Sequence, residues 1–195
     1  MILEGDKSVI DAIKEKKHLM DAGEEHGHIR PLLIVDGGLM KAAYGVGAGL
    51  ALEEAGFSKV FTSIVGVSSG APSAAYFVSE EVYIGGRLIY EECCTKKFLN
   101  VWRFWNQVNT TYLTSVLKGS TGKRINVKKI FSSSTDLYIG VSDFKTGKPT
   151  LLKPTNEDEL FRAIQASIIM PNVSTDIVTF NDIRYVDGGF TRPHI

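Results

Sequence analysis

Apolar residues along this chain fall into short continuous runs separated by polar, glycine-containing turns. Pro31 to Val35 is one such run, the pattern of a strand buried on both faces, and it ends at Asp36-Gly37-Gly38. A helix-like stretch from Met40 to Ala55 follows and stops at Gly56, a residue suited to a C-terminal cap. Lys59 to Val65 is a second strand, running into Gly66-Val67-Ser68-Ser69-Gly70, and the small-residue run Ala71 to Phe77 then reads as a helix. Strand followed by helix, twice over, predicts a parallel α/β sheet with crossover helices.

The flanking pattern is less regular. Ser8 is placed to cap a first helix through about Met20, with Val9, Ile10 and Ile13 as its apolar positions; Asp21 to His28 is a polar loop. Helices are expected near Gly86 to Cys94 and Leu99 to Gln107. In the second, Leu99, Trp102 and Trp105 share overlapping faces, which reads as core, with a lipid-facing lid as the other reading. Leu137 to Ser142 and Thr150 to Lys153 flank a glycine turn and predict a hairpin. Glu157 to Met170 has helical periodicity and ends at Pro171. A last hairpin, Ile177 to Phe180 and Arg184 to Val186 around Asn181-Asp182, delivers the chain into Asp187-Gly188-Gly189.

Composition narrows the class without deciding it. The 195 residues fit a single domain over 1–195, with 1–30 as an N-terminal helix and loop extension. Lys plus Arg and Asp plus Glu both number 22, so no overall charge draws the chain to nucleic acid. Cys93 and Cys94 are adjacent, a poor geometry for a disulfide, and read as free thiols of a reducing compartment. Met1 to Asp6 has no basic start leading into an apolar run. The apolar stretch Ala42 to Leu52 is shorter than the roughly 20 residues a bilayer requires. The expected location is cytoplasmic, with room for peripheral contact with a membrane; oligomeric state is left open.

Three glycine-bearing strand ends carry candidate chemistry. Gly66 to Gly70 fits G-x-S-x-G, a nucleophile elbow whose glycines clear space around a serine on a sharp strand-to-helix turn. Ser69, one residue on, is expected to point elsewhere. Asp36 to Lys41 ends the first strand beside a helix start, where consecutive N–H groups form an anion-binding concavity and Lys41 adds positive charge. A dinucleotide fingerprint is disfavoured, because Gly45, Gly47 and Gly49 fall inside the helix, where they suit close packing. Asp187-Gly188-Gly189 is the third. Taken alone, each is a common turn.

Together and in this order, the three motifs resemble those of the patatin-like phospholipase family: a D-G-G-G-x-R/K-G loop, G-x-S-x-G, then D-G-G. The correspondence runs from Pro31 to Gly189. It is supported by Leu52-Glu-Glu-Ala-Gly56, Ala75-Tyr-Phe77, Ala166-Ser167 and Tyr185-Val-Asp-Gly-Gly189. The resemblance implies a three-layer α/β/α fold with a central, mostly parallel sheet. It implies a carboxylic ester hydrolase of lipid degradation, acting on phospholipid or lysophospholipid without metal or cofactor. Ser68 would be the nucleophile and Asp187 its base, with the oxyanion on Gly37, Gly38 and Leu39 and Lys41 nearby. Gly66, Gly70, Gly188 and Gly189 complete the elbow and the D-G-G motif.

Two departures stand out: Leu39 replaces the family's third loop glycine and Ala42 its last. They motivate an alternative, a catalytically weak module that binds acyl lipids or a protein partner. Ile168 and Ile169, where the family has small residues, are expected to narrow the adjacent pocket. Only six residues follow Gly189, so the natural chain is expected to extend beyond Ile195. A Ser68–Asp187–His194 triad is disfavoured, since seven positions leave no space for the strand that fold places there. His26 and His28, beside Glu24 and Glu25, read as a solvated loop rather than a metal site.

Overall fold

The computed structural model describes residues 6–190. Helix α1 (Lys7–Ala22) is capped two residues earlier than expected: Asp6, not Ser8, is the N-cap, and its carboxylate accepts the Ser8 N–H at 2.9 Å. The helix ends at Gly23 in left-handed backbone (φ 70°). Its buried Lys16 donates to Thr62 Oγ1 just ahead of the central sheet.

Among the described residues six strands form that sheet: β1 (Leu32–Val35), β2 (Ser63–Val67), β3 (Asp136–Asp143), β4 (Pro149–Leu152), β5 (Val178–Phe180) and β6 (Ile183–Asp187). The order is β1-β2-β3-β6-β5, with β4 also paired to β3. β1, β2 and β3 are mutually parallel, while β6 and β4 run against β3 and β5 against β6. Four strands therefore share a direction, the mixed, mostly parallel α/β sheet that the alternating runs predict. The unbroken run of β1 misleads in one respect. Only one face of this edge strand packs against the core: Leu33 and Val35 turn inward while Leu32 (53% exposed) and Ile34 (41%) lie on the more open face.

Helices flank the sheet: α2 (Ala42–Glu54), α3 (Gly70–Val78), α4 (Val82–Leu88), α5 (Thr110–Leu117), α6 (Val127–Ser132) and α7 (Glu157–Ser167). α3 packs on β1, β2 and β3, and α7 on β3, β5 and β6. The core between them is built from Ile64, Ile139, Ala71, Ala74, Leu160 and Ile164, all fully buried. The glycines of α2 are not packing glycines after all: an added Cβ would meet nothing within 4 Å at Gly47 and only ordinary contacts at Gly45 and Gly49.

The middle of the chain departs most from expectation. α4 runs into a π-helical turn, Ile89–Cys93, so the helix begins earlier than Gly86. Leu99 to Gln107 is not a helix but a hydrogen-bonded loop closed by a bridge between Leu99 and Val108. α5 and α6 are additional helices, capped by Asn109 and Asn126. Asn181 and Asp182, both with positive φ, make the tight turn between β5 and β6, a position these residue types tolerate.

Candidate active site

Each of the three glycine motifs sits at the end of a strand, and the strand order brings the ends together. β2 delivers Ser68 to a sharp turn into α3, with φ 54°, the left-handed region a serine seldom enters. The turn can be that tight because its neighbours lack side chains. An added Cβ would lie 2.7 Å from Ala71 Cα at Gly66 and 2.0 Å from the Val35 carbonyl oxygen at Gly70. A serine anchors the turn from behind. Ser167, buried at the end of α7, accepts the Ser68 N–H at 2.8 Å and donates to the Gly140 carbonyl of β3 at 2.7 Å.

β6 ends at Asp187, opposite Val141 of β3. Ser68 Oγ donates to Asp187 Oδ2 at 2.6 Å, and the Gly189 N–H donates to Asp187 Oδ1 at 2.7 Å. The Asp187 N–H is itself held by the Ile169 carbonyl at 2.9 Å. Gly188 runs so close to β3 that an added Cβ would be 2.6 Å from the Gly140 carbonyl oxygen. Burial lifts the Asp187 carboxyl above its ordinary range. The hydrogen bonds from Ser68 and Gly189 pull it back toward the ionised form, and the neighbouring Asp36 charge pushes it up again. A carboxylate raised in this way is a better proton acceptor than a solvated one.

The loop after β1 lies against the serine. An added Cβ on Gly37 would stand 2.5 Å from Ser68 Cβ, so only glycine fits there. The Gly37 N–H is taken up by its neighbour, the Asp36 carboxylate, at 2.7 Å. The Gly38 and Leu39 N–H groups make no hydrogen bond among the described residues. Gly38 (φ 139°) and Leu39 (φ 55°) both have positive φ before a 3₁₀ turn, Leu39–Lys41, leads into α2. Leu39 thus occupies a position whose backbone favours glycine. Lys41 is exposed, with its stem beneath Gly38.

Ser68 opens into a cavity of about 300 Å³, at the small end of the range for ligand pockets. Leu88, Ile89, Val108, Leu113, Ile168 and Val173 supply much of its apolar wall. Ile168 is on that wall, as expected, whereas Ile169 is buried behind it. Cys93 also lines the cavity, its thiol pushed up to about 12 by burial, with no disulfide to the neighbouring free Cys94. Ser69 corrects an expectation: it lines the same cavity, but its buried Oγ has no hydrogen-bond partner, and so no base, among the described residues.

Ser167 and Gly140 are the residues sequence reading missed. In the sequence Ser167 stands out only within the supporting Ala166-Ser167 pair, with no role attached, and its partnership with Ser68 spans 99 positions. His194 lies outside the described residues. His26 Nδ1 lies 2.8 Å from the Glu24 carbonyl oxygen in its exposed loop. Among the described residues no three His, Cys, Asp or Glu side chains converge.

Residues 33–194 match the family model described as patatin-like phospholipase. VipD from Legionella pneumophila shares the fold at a TM-score of 0.61 and 14% identity, over 85% of this chain and 47% of that one. The type III effector protein ExoU is similar at a TM-score of 0.42 and 16% identity, over 71% of this chain and 40% of that one. The chain therefore spans less than half the length of either. No curated protein matches it significantly.

Proposed function

The chain belongs to the patatin-like phospholipase family, and from that premise we propose that it hydrolyses acyl esters of phospholipids or lysophospholipids through a Ser68–Asp187 dyad. The observation that carries the reading is the 2.6 Å hydrogen bond from Ser68 Oγ to Asp187 Oδ2 at the wall of an apolar cavity. Asp187 takes the hydroxyl proton as Ser68 attacks the ester carbonyl. The oxyanion that forms is met by the free N–H groups of Gly38 and Leu39, with Gly37 giving the close approach and Lys41 adding charge at the loop's end. Asp187 then protonates the departing alcohol, leaving an acyl-serine. In the second half Asp187 takes a proton from a water whose oxygen adds to the acyl carbonyl; the bond to Ser68 Oγ then breaks, Oγ takes the proton back from Asp187, and the fatty acid leaves. The apolar wall accepts an acyl chain.

Ser68→Ala tests the assignment. Hydrolysis of a short p-nitrophenyl ester is expected to fall by up to about 10⁶ in kcat, and a serine-directed phosphonate probe should label only the wild type. Labelling that survives in the variant would move the nucleophile elsewhere, with Ser69 the first to examine.

A second reading is favoured by one observation, the positive φ of Leu39. If the strained loop no longer presents its N–H groups, the protein binds acyl lipids with little turnover. Fatty acid binding by a wild type that fails to turn over the ester would choose this reading.

A further inference from the structure

The loop that closes between Leu99 and Val108 carries its apolar residues on the outside. Val101, Trp102, Phe104 and Trp105 occupy four of five consecutive positions and are exposed, the tryptophans at 79% and 81%. Single exposed apolar residues need no explanation, but a run of this kind does. The loop is held in this form by its backbone. Asn100 N–H donates to the Gln107 carbonyl and Asn109 N–H to the Phe98 carbonyl, both at 2.9 Å. The Arg103 guanidinium ties the tip to the base through the carbonyls of Lys96, Lys97 and Phe98.

Charge marks the same region. Between Glu92 and Asp136 the sequence has eight Lys or Arg and no Asp or Glu, in a chain whose charges otherwise cancel. Lys123, Arg124 and Lys129 are in ion pairs, whereas Lys96, Lys97 and Arg103 have no carboxylate partner among the described residues. The base of the loop also forms part of the cavity: Phe98, Leu99, Gln107 and Val108 line it. Leu39 and Met40, likewise cavity-lining and exposed, extend this apolar surface.

We propose that the loop from Phe98 to Asn109 docks the protein on an anionic phospholipid bilayer, with Trp102, Phe104 and Trp105 in the interfacial layer and the cavity facing the lipid. Tryptophan's amphipathic ring favours that layer, and the exposed Lys96 and Lys97, with no carboxylate partner among the described residues, favour anionic headgroups. An exposed aromatic tip with Lys96 and Lys97 exposed at its base fits a fluid surface, whereas a partner helix would need a groove. The role in catalysis rests on the lipid reading above: docking delivers an acyl chain to Ser68 without its crossing water.

The chain has two tryptophans, both at this tip, so emission excited at the red edge, where tyrosine does not absorb, reports on this loop alone. The experiment uses Ser68→Ala, which separates docking from chemistry, with phosphatidylglycerol vesicles and with phosphatidylcholine vesicles. Emission should shift to the blue on phosphatidylglycerol, more weakly on phosphatidylcholine, and the phosphatidylglycerol shift should diminish as salt screens the basic residues. Adding Trp102→Ser and Trp105→Ser together should weaken cosedimentation with phosphatidylglycerol vesicles on the order of 10²-fold, about tenfold for each ring withdrawn. The same pair in an otherwise wild-type chain should leave turnover of a soluble p-nitrophenyl ester unchanged. Vesicle binding without ester turnover would sink the catalytic reading and leave docking standing. An unshifted emission, cosedimentation indifferent to the two substitutions, or a dimer that the double variant dissolves would each overturn the proposal, the last by assigning the tip to a second copy of the chain.

Discussion

Two turns of the candidate site each hold a non-glycine residue in left-handed backbone at nearly the same angle, Ser68 at φ 54° and Leu39 at φ 55°, and they are supported in opposite ways. At Ser68 the surroundings over-determine the conformation: its N–H is bound by Ser167, its hydroxyl by Asp187, and Gly66 and Gly70 clear the space around it. At Leu39 the N–H has no partner among the described residues and the residue is 56% exposed. Unusual backbone persists at functional sites where neighbours fix it. By that measure the elbow is rigid and the glycine loop is the yielding half of the site.

The largest expected effect tests the rigid half. Asp187→Asn keeps the side chain's shape while removing the proton acceptor, and kcat should fall by about 10⁴. Stability should not fall with it. Because burial raises the Asp187 carboxyl in the folded state, its ionisation opposes folding at neutral pH, and that penalty disappears as pH drops below the ordinary value of 3.8. The variant's denaturant midpoint at pH 7 should therefore equal or exceed the wild type's. The wild-type rate should also rise with pH through a midpoint above 3.8, since only ionised Asp187 can accept the proton. A midpoint at or below 3.8 would mean that another group sets the acid limb.

Gly37→Ala comes next, because it drives the loop off the elbow. The added methyl would lie 2.5 Å from Ser68 Cβ, and the loop is the partner able to yield. Displacing the oxyanion donors should reduce kcat by about 10²–10³ with the elbow intact. Phosphonate labelling that slows in the same proportion would show that the loop serves the first chemical step. Unchanged kcat would separate the loop from the oxyanion.

A smaller loss is expected at Ser167→Ala. The Ser68 N–H and the Gly140 carbonyl would both lose their partner, about 1–3 kcal/mol of stability for the buried groups. As a positioning residue Ser167 should lower kcat roughly tenfold with KM unchanged, and Ser167→Thr, which restores the hydroxyl, should recover part of it. Equal rates in the two variants would reduce Ser167 to a packing role.

The contrast between the turns also explains what the sequence reveals. Spaces that only glycine fits leave a residue-type signature, so Gly37, Gly66, Gly70 and Gly188 are readable without coordinates. The apolar runs before them are readable as strands for the same local reason. Ser167 leaves no such trace, because its effect on Ser68 exists only after α7 crosses the sheet. The loop from Leu99 to Gln107 misled because the spacing of Leu99, Trp102 and Trp105 suits a helix, while side-chain and backbone hydrogen bonds from Asn100 and Arg103 select a turn-rich form. α5 is rich in threonine and depends on Asn109 capping the Tyr112 N–H and on packing against α7. Propensity is a weak guide where tertiary contacts decide.

The smallest expected effect belongs to Leu39 itself, and its direction matters more than its size. Left-handed backbone costs a residue with a Cβ about 1–2 kcal/mol. Glycine escapes that cost but loses roughly 0.5–1 kcal/mol through the freedom of its unfolded chain, so Leu39→Gly should stabilise the fold by no more than about 1.5 kcal/mol. The same difference bears on the loop: a residue that resists φ 55° spends more time away from it, and the Leu39 N–H then misses the oxyanion. Leu39→Gly should accordingly raise kcat a few-fold, and Leu39→Val, whose branched Cβ tolerates this region least, should lower it by a similar factor. The measurement is kcat on one soluble ester, beside the thermal midpoint, for glycine, leucine and valine at this position. A graded order from glycine through leucine to valine in both quantities would identify strain at residue 39 as the limit on this half of the site. Equal kcat across the three would mean that the Leu39 N–H takes no part in holding the oxyanion and that Gly38 carries that role without it.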